Sequence, residues 1–134
     1  MPDDRAADWE RPSPWGQHIG MQLTDWQADH ARVEITLAAF TRNRHGAPHG
    51  GVHATLLDTA MGFAGCYTGD PDRRQMCLTL NLSVNYLSRP QGQRLIAEAR
   101  KTGGGESTFF AEGRVLDETG AVIASGTGVF RYRK

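Results

Sequence analysis

The chain has 134 residues, 39% apolar and 22% charged, with 15 Lys plus Arg balanced by 15 Asp plus Glu. That size and composition suit one globular domain whose core needs no disulfide or metal staple. Zero formal charge offers no basic surface to nucleic acid, and neither a transmembrane-length apolar run nor a basic-then-apolar leader is present. Neither nucleic acid nor membrane is therefore expected as a partner. Cys66 and Cys77 are expected as reduced thiols in a cytoplasmic protein.

In chain order, residues 1–15 are polar and aperiodic and are expected to form a flexible N-terminal arm, tethered by Trp9 and Trp15. Residues 16–134 form the single domain. A short helical turn over 14–19 leads to a first strand near Met21–Trp26. Ala31, Val33, Ile35 and Leu37 then alternate with Arg32, Glu34 and Thr36, the pattern of a half-buried strand. Asn43–Pro48 is a loop, a helix follows, and Thr68–Gln75 is the return loop. Beyond it the chain reads as strands. Leu78, Leu80, Leu82, Val84 and Tyr86 alternate with Thr79, Asn81, Ser83 and Asn85, which predicts one long strand with an apolar and a polar face. Arg94–Lys101 is the next strand, broken by Gly103-Gly104-Gly105. Ser107–Leu116, a hairpin at Asp117-Glu118-Thr119-Gly120, and Ala121–Arg131 complete the order. One long helix among six strands predicts an α+β fold, an antiparallel sheet wrapped around a central helix.

That helix is the organising element. From Val52 to Ala64 it is apolar nearly all round, which predicts burial on every side. Yet Asp58 sits in its middle, and Asp is rarely buried unless paired or used. His49, Gly50 and Gly51 precede it, where the free N–H groups of the first turn make an electropositive terminus. Gly50 and Asp58 lie about 12 Å apart along the axis at about 1.5 Å per residue. A reacting carbonyl must lie about 3 Å from both its oxyanion donor and the attacking group. Either the two features are unrelated, or a second, antiparallel copy brings its Asp58 to the first copy's Gly50. The second arrangement predicts a two-fold dimer with two equivalent sites.

Asn43-x-x-Gly46-x-x-His49-Gly50-Gly51, with Asp58 nine residues after the His, resembles the hotdog-fold acyl-CoA thioesterases of the PaaI (phenylacetic acid degradation) branch. The run Thr79–Leu87 and the ending Ala124–Phe130 look like that family as well. The resemblance covers roughly residues 16–132 and implies a homodimer with a continuous sheet, commonly paired into a homotetramer, acting on acyl-CoA. By that likeness the Gly50 N–H polarises the thioester carbonyl, and Asp58 of the neighbouring copy is general base or nucleophile. Asn43 and His49 shape the site, and Thr79 helps hold the water. A thioester carbonyl has little resonance stabilisation, so one backbone donor and one carboxylate suffice for attack by water.

Other readings are weaker. His49 and His53 have an i, i+4 spacing that suits zinc, but no Glu follows the first His and no third ligand is evident, so no metal or other cofactor is expected. His53 reads as a packing histidine. Gly103–Gly105 is no phosphate loop, since neither Lys-Ser/Thr nor a helix follows. Relatives often carry a basic residue near this bend for the nucleotide of coenzyme A. Here Arg89, Arg94 and Lys101 are the cations available instead. Gly51, Met61, Asn81 and Arg89 complete the expected substrate contacts, with Met61 and Phe63 as acyl-pocket walls. The expected reaction is hydrolysis of a small or medium acyl-CoA, aromatic acyl groups included. The alternatives are a hotdog hydratase or dehydratase on acyl thioesters and a non-catalytic acyl-CoA-binding module.

Overall fold

The alternating segments form six strands curled around one helix. The computed structural model describes residues 10–134. A short helix α1 (Pro14–Ile19) precedes β1 (Gln22–Gln27) and β2 (His30–Thr36), and a 3-10 turn (Ala39–Thr41) leads toward the long helix α2 (Gly50–Cys66). Then come β3 (Met76–Tyr86), β4 (Arg94–Gly104), β5 (Thr108–Asp117) and β6 (Val122–Arg133). All neighbours pair antiparallel, in the order β1-β2-β4-β5-β6-β3. Strand β3 therefore ends the sheet, bonded to β6 on one side only.

The helix lies in the hollow of this sheet. Leu56, Leu57, Ala60 and Met61 are fully buried against Leu95, Phe109, Val115, Ile123 and Phe130 from the strands. Each of these side chains larger than Ala60 contributes about 1.5–3 kcal/mol by leaving water. The Phe109 and Phe130 rings stack at 4.9 Å and 9°, and the Phe109 ring lies 2.1 Å from where a Cβ on Gly65 would sit. Only glycine lets the end of α2 come this close to the sheet.

Four expectations need correction. Helix α2 is not buried all round: Ala54, Thr55, Asp58, Thr59, Gly62 and Phe63 form a partly exposed strip. A single curled sheet cannot close over the whole circumference of a helix. Second, the five apolar residues of β3 do not share a face. The register against β6 steps from Thr79↔Phe130 to Asn81↔Val129, so Leu80 is an extra residue in a β-bulge. Because side chains alternate with period two, the bulge exchanges the faces. Cys77 and Thr79 face α2 before it, and Leu82, Val84 and Tyr86 after it, while Leu78 and Leu80 are more than half exposed. Third, β4 runs on through Gly103 to Gly104. The glycines do not break it, because a second register shift between Lys101 and Gly103 absorbs the distortion and Gly104 takes φ +133°.

The fourth concerns the chain start. Residues 1–9, including Trp9, lie outside the described residues. Pro14 and Trp15 belong to α1, so the boundary expected after residue 15 falls inside a helix. Pro14 fits the first helical turn, where its missing N–H costs nothing. Trp15 Nε1 donates to Thr55 Oγ1 at 3.2 Å, tying α1 to the open strip of α2.

Candidate active site

The loop before α2 is built to present one backbone donor. Asn43 Oδ1 accepts from the His45 and Ala47 amides at 2.9 and 3.1 Å, folding the loop upon itself. The His49 amide donates to the Thr41 carbonyl at 2.8 Å. His49 then acts as N-cap, its Nδ1 accepting from the Gly51 amide at 2.9 Å. As Nδ1 is the acceptor, the ring proton of neutral His49 belongs on Nε2. Among the described residues the Gly50 N–H has no acceptor. It is the free donor at the positive end of a 17-residue helix.

A cavity of about 280 Å³ opens over this terminus, lined by Asn43, Gly50, His53, Tyr86, Ser88 and Arg89 among others. Tyr86 Oη donates to the Gly50 carbonyl at 2.7 Å and its ring meets His53 edge-on, centroids 5.5 Å apart. His53 is 5% exposed and its Nδ1 has no hydrogen-bond partner. Burial pushes His53 below the usual histidine range, against the opposing pull of the His49 carbonyl. The imidazole is therefore neutral near pH 7.

Two turns along α2 is a second cavity, of about 450 Å³. The Thr79 hydroxyl donates to Asp58 Oδ1 at 2.6 Å, so the half-buried carboxylate is fixed from β3. Trp26, Phe63 and Phe130 give this cavity aromatic walls, and Glu10–Ser13 close one side. Burial raises the Glu10 carboxyl above its ordinary value, partly offset by the Arg74 charge. The thiols of Cys66 and Cys77 meet at its edge. The neighbouring Cys77 and burial push the Cys66 thiol up, and Cys66 holds the Cys77 thiol below the usual range against burial and the Asp58 charge. Cys77 Sγ donates to the Gly62 carbonyl at 4.0 Å.

The sequence-predicted residues thus separate into two groups. Asn43, Gly50 and Arg89 share the first cavity, with His49 capping the helix beside it. Asp58 and Thr79 share the second. The other three contribute to neither cavity. The Gly51 N–H is taken by His49, and Met61 is fully buried in the core. Asn81 points away from α2, accepting from Ser83 Oγ on the outer face. Of the other cations, Arg94 pairs with Glu34 and Lys101 lies 5.8 Å over the Tyr132 ring. Arg89 is exposed and makes no ion pair among the described residues.

Tyr86, His53 and Cys77 are site residues that periodicity did not single out. The signal for Tyr86 was its place at the end of β3, but the bulge decides its face. A wider recess of about 560 Å³ lies on the outer face of the sheet. Its Arg100–Glu112 and Arg114–Glu98 pairs, at 2.6 and 4.0 Å, satisfy one another, and it presents no chemistry.

A curled six-stranded antiparallel sheet around one long helix is the hotdog fold found in thioesterases. The family model described as the thioesterase superfamily matches residues 45–124, well over half of the chain. The chain belongs to the thioesterase superfamily. It is similar to a 1,4-dihydroxy-2-naphthoyl-CoA hydrolase of Listeria monocytogenes, 26% identical over 101 residues, 75% of this chain and 80% of that protein. Among solved structures it is similar to a conserved protein of Pseudomonas aeruginosa, 25% identical with a TM-score of 0.83, covering 98% of this chain and 100% of that one. The PaaI protein of the E. coli phenylacetic acid degradation operon shares the fold, with a TM-score of 0.79 at 19% identity over 91% of this chain and 86% of that one. No helix among the described residues is long and apolar enough to cross a membrane.

Proposed function

We propose that this protein hydrolyses a small or medium acyl-CoA, aromatic acyl groups included, to the free acid and CoA. The working unit is a homodimer, paired further into a homotetramer. The observation that carries the reading is the division of the site. The free Gly50 N–H and the Asp58 carboxylate open into different cavities, eight residues apart on one unbroken helix. At about 12 Å they cannot serve one carbonyl within a chain. The two-fold dimer that the family resemblance implies brings one copy's Asp58 to the other's Gly50. The free edge of β3, with Met76, Leu78 and Leu80 exposed along it, supports pairing with a second copy.

In such a site the substrate carbonyl lies on the Gly50 N–H, and Asp58 of the other copy removes a proton from water as it adds to the carbonyl carbon. Negative charge gathering on the carbonyl oxygen is stabilised by the amide and by the start of α2. Collapse breaks the C–S bond, the CoA thiolate departs, and the proton on Asp58 is returned to the products. If Asp58 attacks directly, the same geometry passes through a mixed anhydride that water then opens. The aromatic walls beside Asp58 and the naphthoyl-CoA named for the Listeria relative favour an aromatic acyl group.

A thiol-release assay over a panel of acyl-CoAs, with wild type and Asp58→Asn, tests this. Release by wild type and its loss in the variant is the expected result. Tight binding without release by either protein would make it a binding module instead, and water addition to an enoyl-CoA would make it a hydratase.

A further inference from the structure

We propose that Asp117 and Glu118 are positioning residues that hold Arg89 on the rim of the Gly50 cavity to receive a phosphate of the substrate's coenzyme A portion. This rests on the acyl-CoA reading above and names two residues, remote from the reacting carbonyl, that set affinity for the carrier. Four consecutive amides, from Gln91 to Arg94, donate to these two carboxylates. Asp117 Oδ2 accepts from Gln91 and Gly92 at 2.7 and 3.0 Å. Glu118 accepts from Gln93 at 2.8 Å and from Arg94 at 3.2 Å. On the other side of Arg89, the Leu87 and Ser88 amides donate to the Ile123 carbonyl, and Ser88 Oγ donates to the Val122 carbonyl. Arg89 and Pro90 are thus left as a short span fixed at both ends to the β5–β6 hairpin, and both line the cavity.

The investment in this fastening exceeds what a surface connection needs. Asp117 is 2% exposed, and its other oxygen accepts from Thr119 and Ala121, so the hairpin turn and the Arg89 span share one carboxylate. Gly92 passes so close to Glu118 that a Cβ there would overlap the carboxylate. What the fastening presents is a guanidinium with no counter-charge among the described residues, a few residues from the Tyr86 that holds Gly50. A thioester seated on the Gly50 N–H sends its pantetheine arm out of the cavity past this rim, and a guanidinium there pairs with phosphate oxygens.

The test is direct binding, by calorimetry on the full chain, of CoA and of pantetheine, which lacks every phosphate. Wild type is expected to bind CoA at least about tenfold more tightly than pantetheine. Arg89→Ala should remove that preference. Asp117→Asn and Glu118→Gln should each reduce it at least about threefold with pantetheine affinity unchanged, and should have no further effect in the Arg89→Ala background. If Asp117→Asn does not fold, Glu118→Gln, altered at an exposed side chain, decides alone. Retention of the full CoA preference by the carboxylate variants, equal loss of both ligands, or a wild type without preference each overturns the proposal. Turnover plays no part in this measurement. A protein that hydrolyses acyl-CoA yet keeps its CoA preference in Glu118→Gln refutes only this assignment, whereas failure of hydrolysis strikes the functional reading.

Discussion

The Thr79 hydroxyl and the Asp58 carboxylate meet at 2.6 Å, joining the sheet's edge strand to the middle of α2. The bond fixes one oxygen of Asp58 and leaves Oδ2 without a partner among the described residues. A hydrogen bond to a charged group contributes about 1.5–3 kcal/mol. Thr79→Val, nearly the same shape, is expected to lower kcat for thioester hydrolysis about tenfold or more, while Thr79→Ser stays within about threefold of wild type. Steady-state thiol release on the preferred acyl-CoA measures both. An unchanged kcat in the valine variant removes Thr79 from the site.

A site divided between two chains can be rebuilt from two broken halves. Gly50→Pro deletes the free N–H at the first helical position, where proline is tolerated. His49 already has the extended backbone that a following proline demands, with φ −61° and ψ 136°. Asp58→Asn removes the carboxylate. Each variant alone should be inactive. Unfolded and refolded together in equal amounts, they should regain about a quarter of wild-type activity, since half the dimers are mixed and one of their two sites is intact. Mixtures as inactive as the separate variants would return the chemistry to a single chain.

Asp117 carries an acid-stability signature. The Thr119 hydroxyl, then the Gln91, Gly92 and Thr119 amides, hold its carboxyl down to about 2, against an ordinary value of 3.8. A carboxyl lower in the folded than in the unfolded state stabilises the fold fully above the unfolded value and loses that contribution as pH falls through the folded one. The melting temperature of wild type should therefore exceed that of Asp117→Asn by a constant margin above about pH 5, and the margin should close between about pH 4 and pH 2. Thermal unfolding followed by circular dichroism across that range measures it. A margin independent of pH would mean that the ionised carboxylate is not what the amides hold.

The two thiols should differ in reactivity. Cys66 is 7% exposed and its thiol is pushed up by Cys77 and by burial, while Cys77 is only half-buried at the Asp58 cavity and is pushed down by Cys66. The thiolate is the nucleophile. Limiting iodoacetamide at pH 8 should alkylate Cys77 well before Cys66, and thioester hydrolysis should fall in proportion to that modification. Peptide mass spectrometry with parallel activity assays reads both. Preferential labelling of Cys66 would contradict this ordering of the two thiols.

How far the sequence foretells the molecule depends on what marks each feature. Strand β2 and the turn at Asp117–Gly120 are legible because strict alternation and a turn-forming tetrad have few other uses. The start of α2 is legible because two glycines behind a histidine leave free amides there. The face of Tyr86 is not, because neither glycine nor proline marks the bulge at Leu80, and one extra residue reverses everything after it. Asp117 reads locally as a hairpin residue. Its bonds to Gln91 and Gly92 span about 25 positions and come only from the sheet order that sets the β3–β4 connection beside the β5–β6 turn.

Leu80 works as a phase shifter. Were Leu80 paired like its neighbours, a regular β3 could point either Thr79 or Tyr86 at the helix but never both, since seven positions separate them and alternation puts odd spacings on opposite sides. A single strand thereby attends to two chambers at once, gripping Asp58 near its start and Gly50 at its end. Deleting that one residue would leave Thr79 and Tyr86 six positions apart, so a strand without the bulge would still serve both chambers, whereas straightening the bulge with Leu80 kept would force it to abandon one.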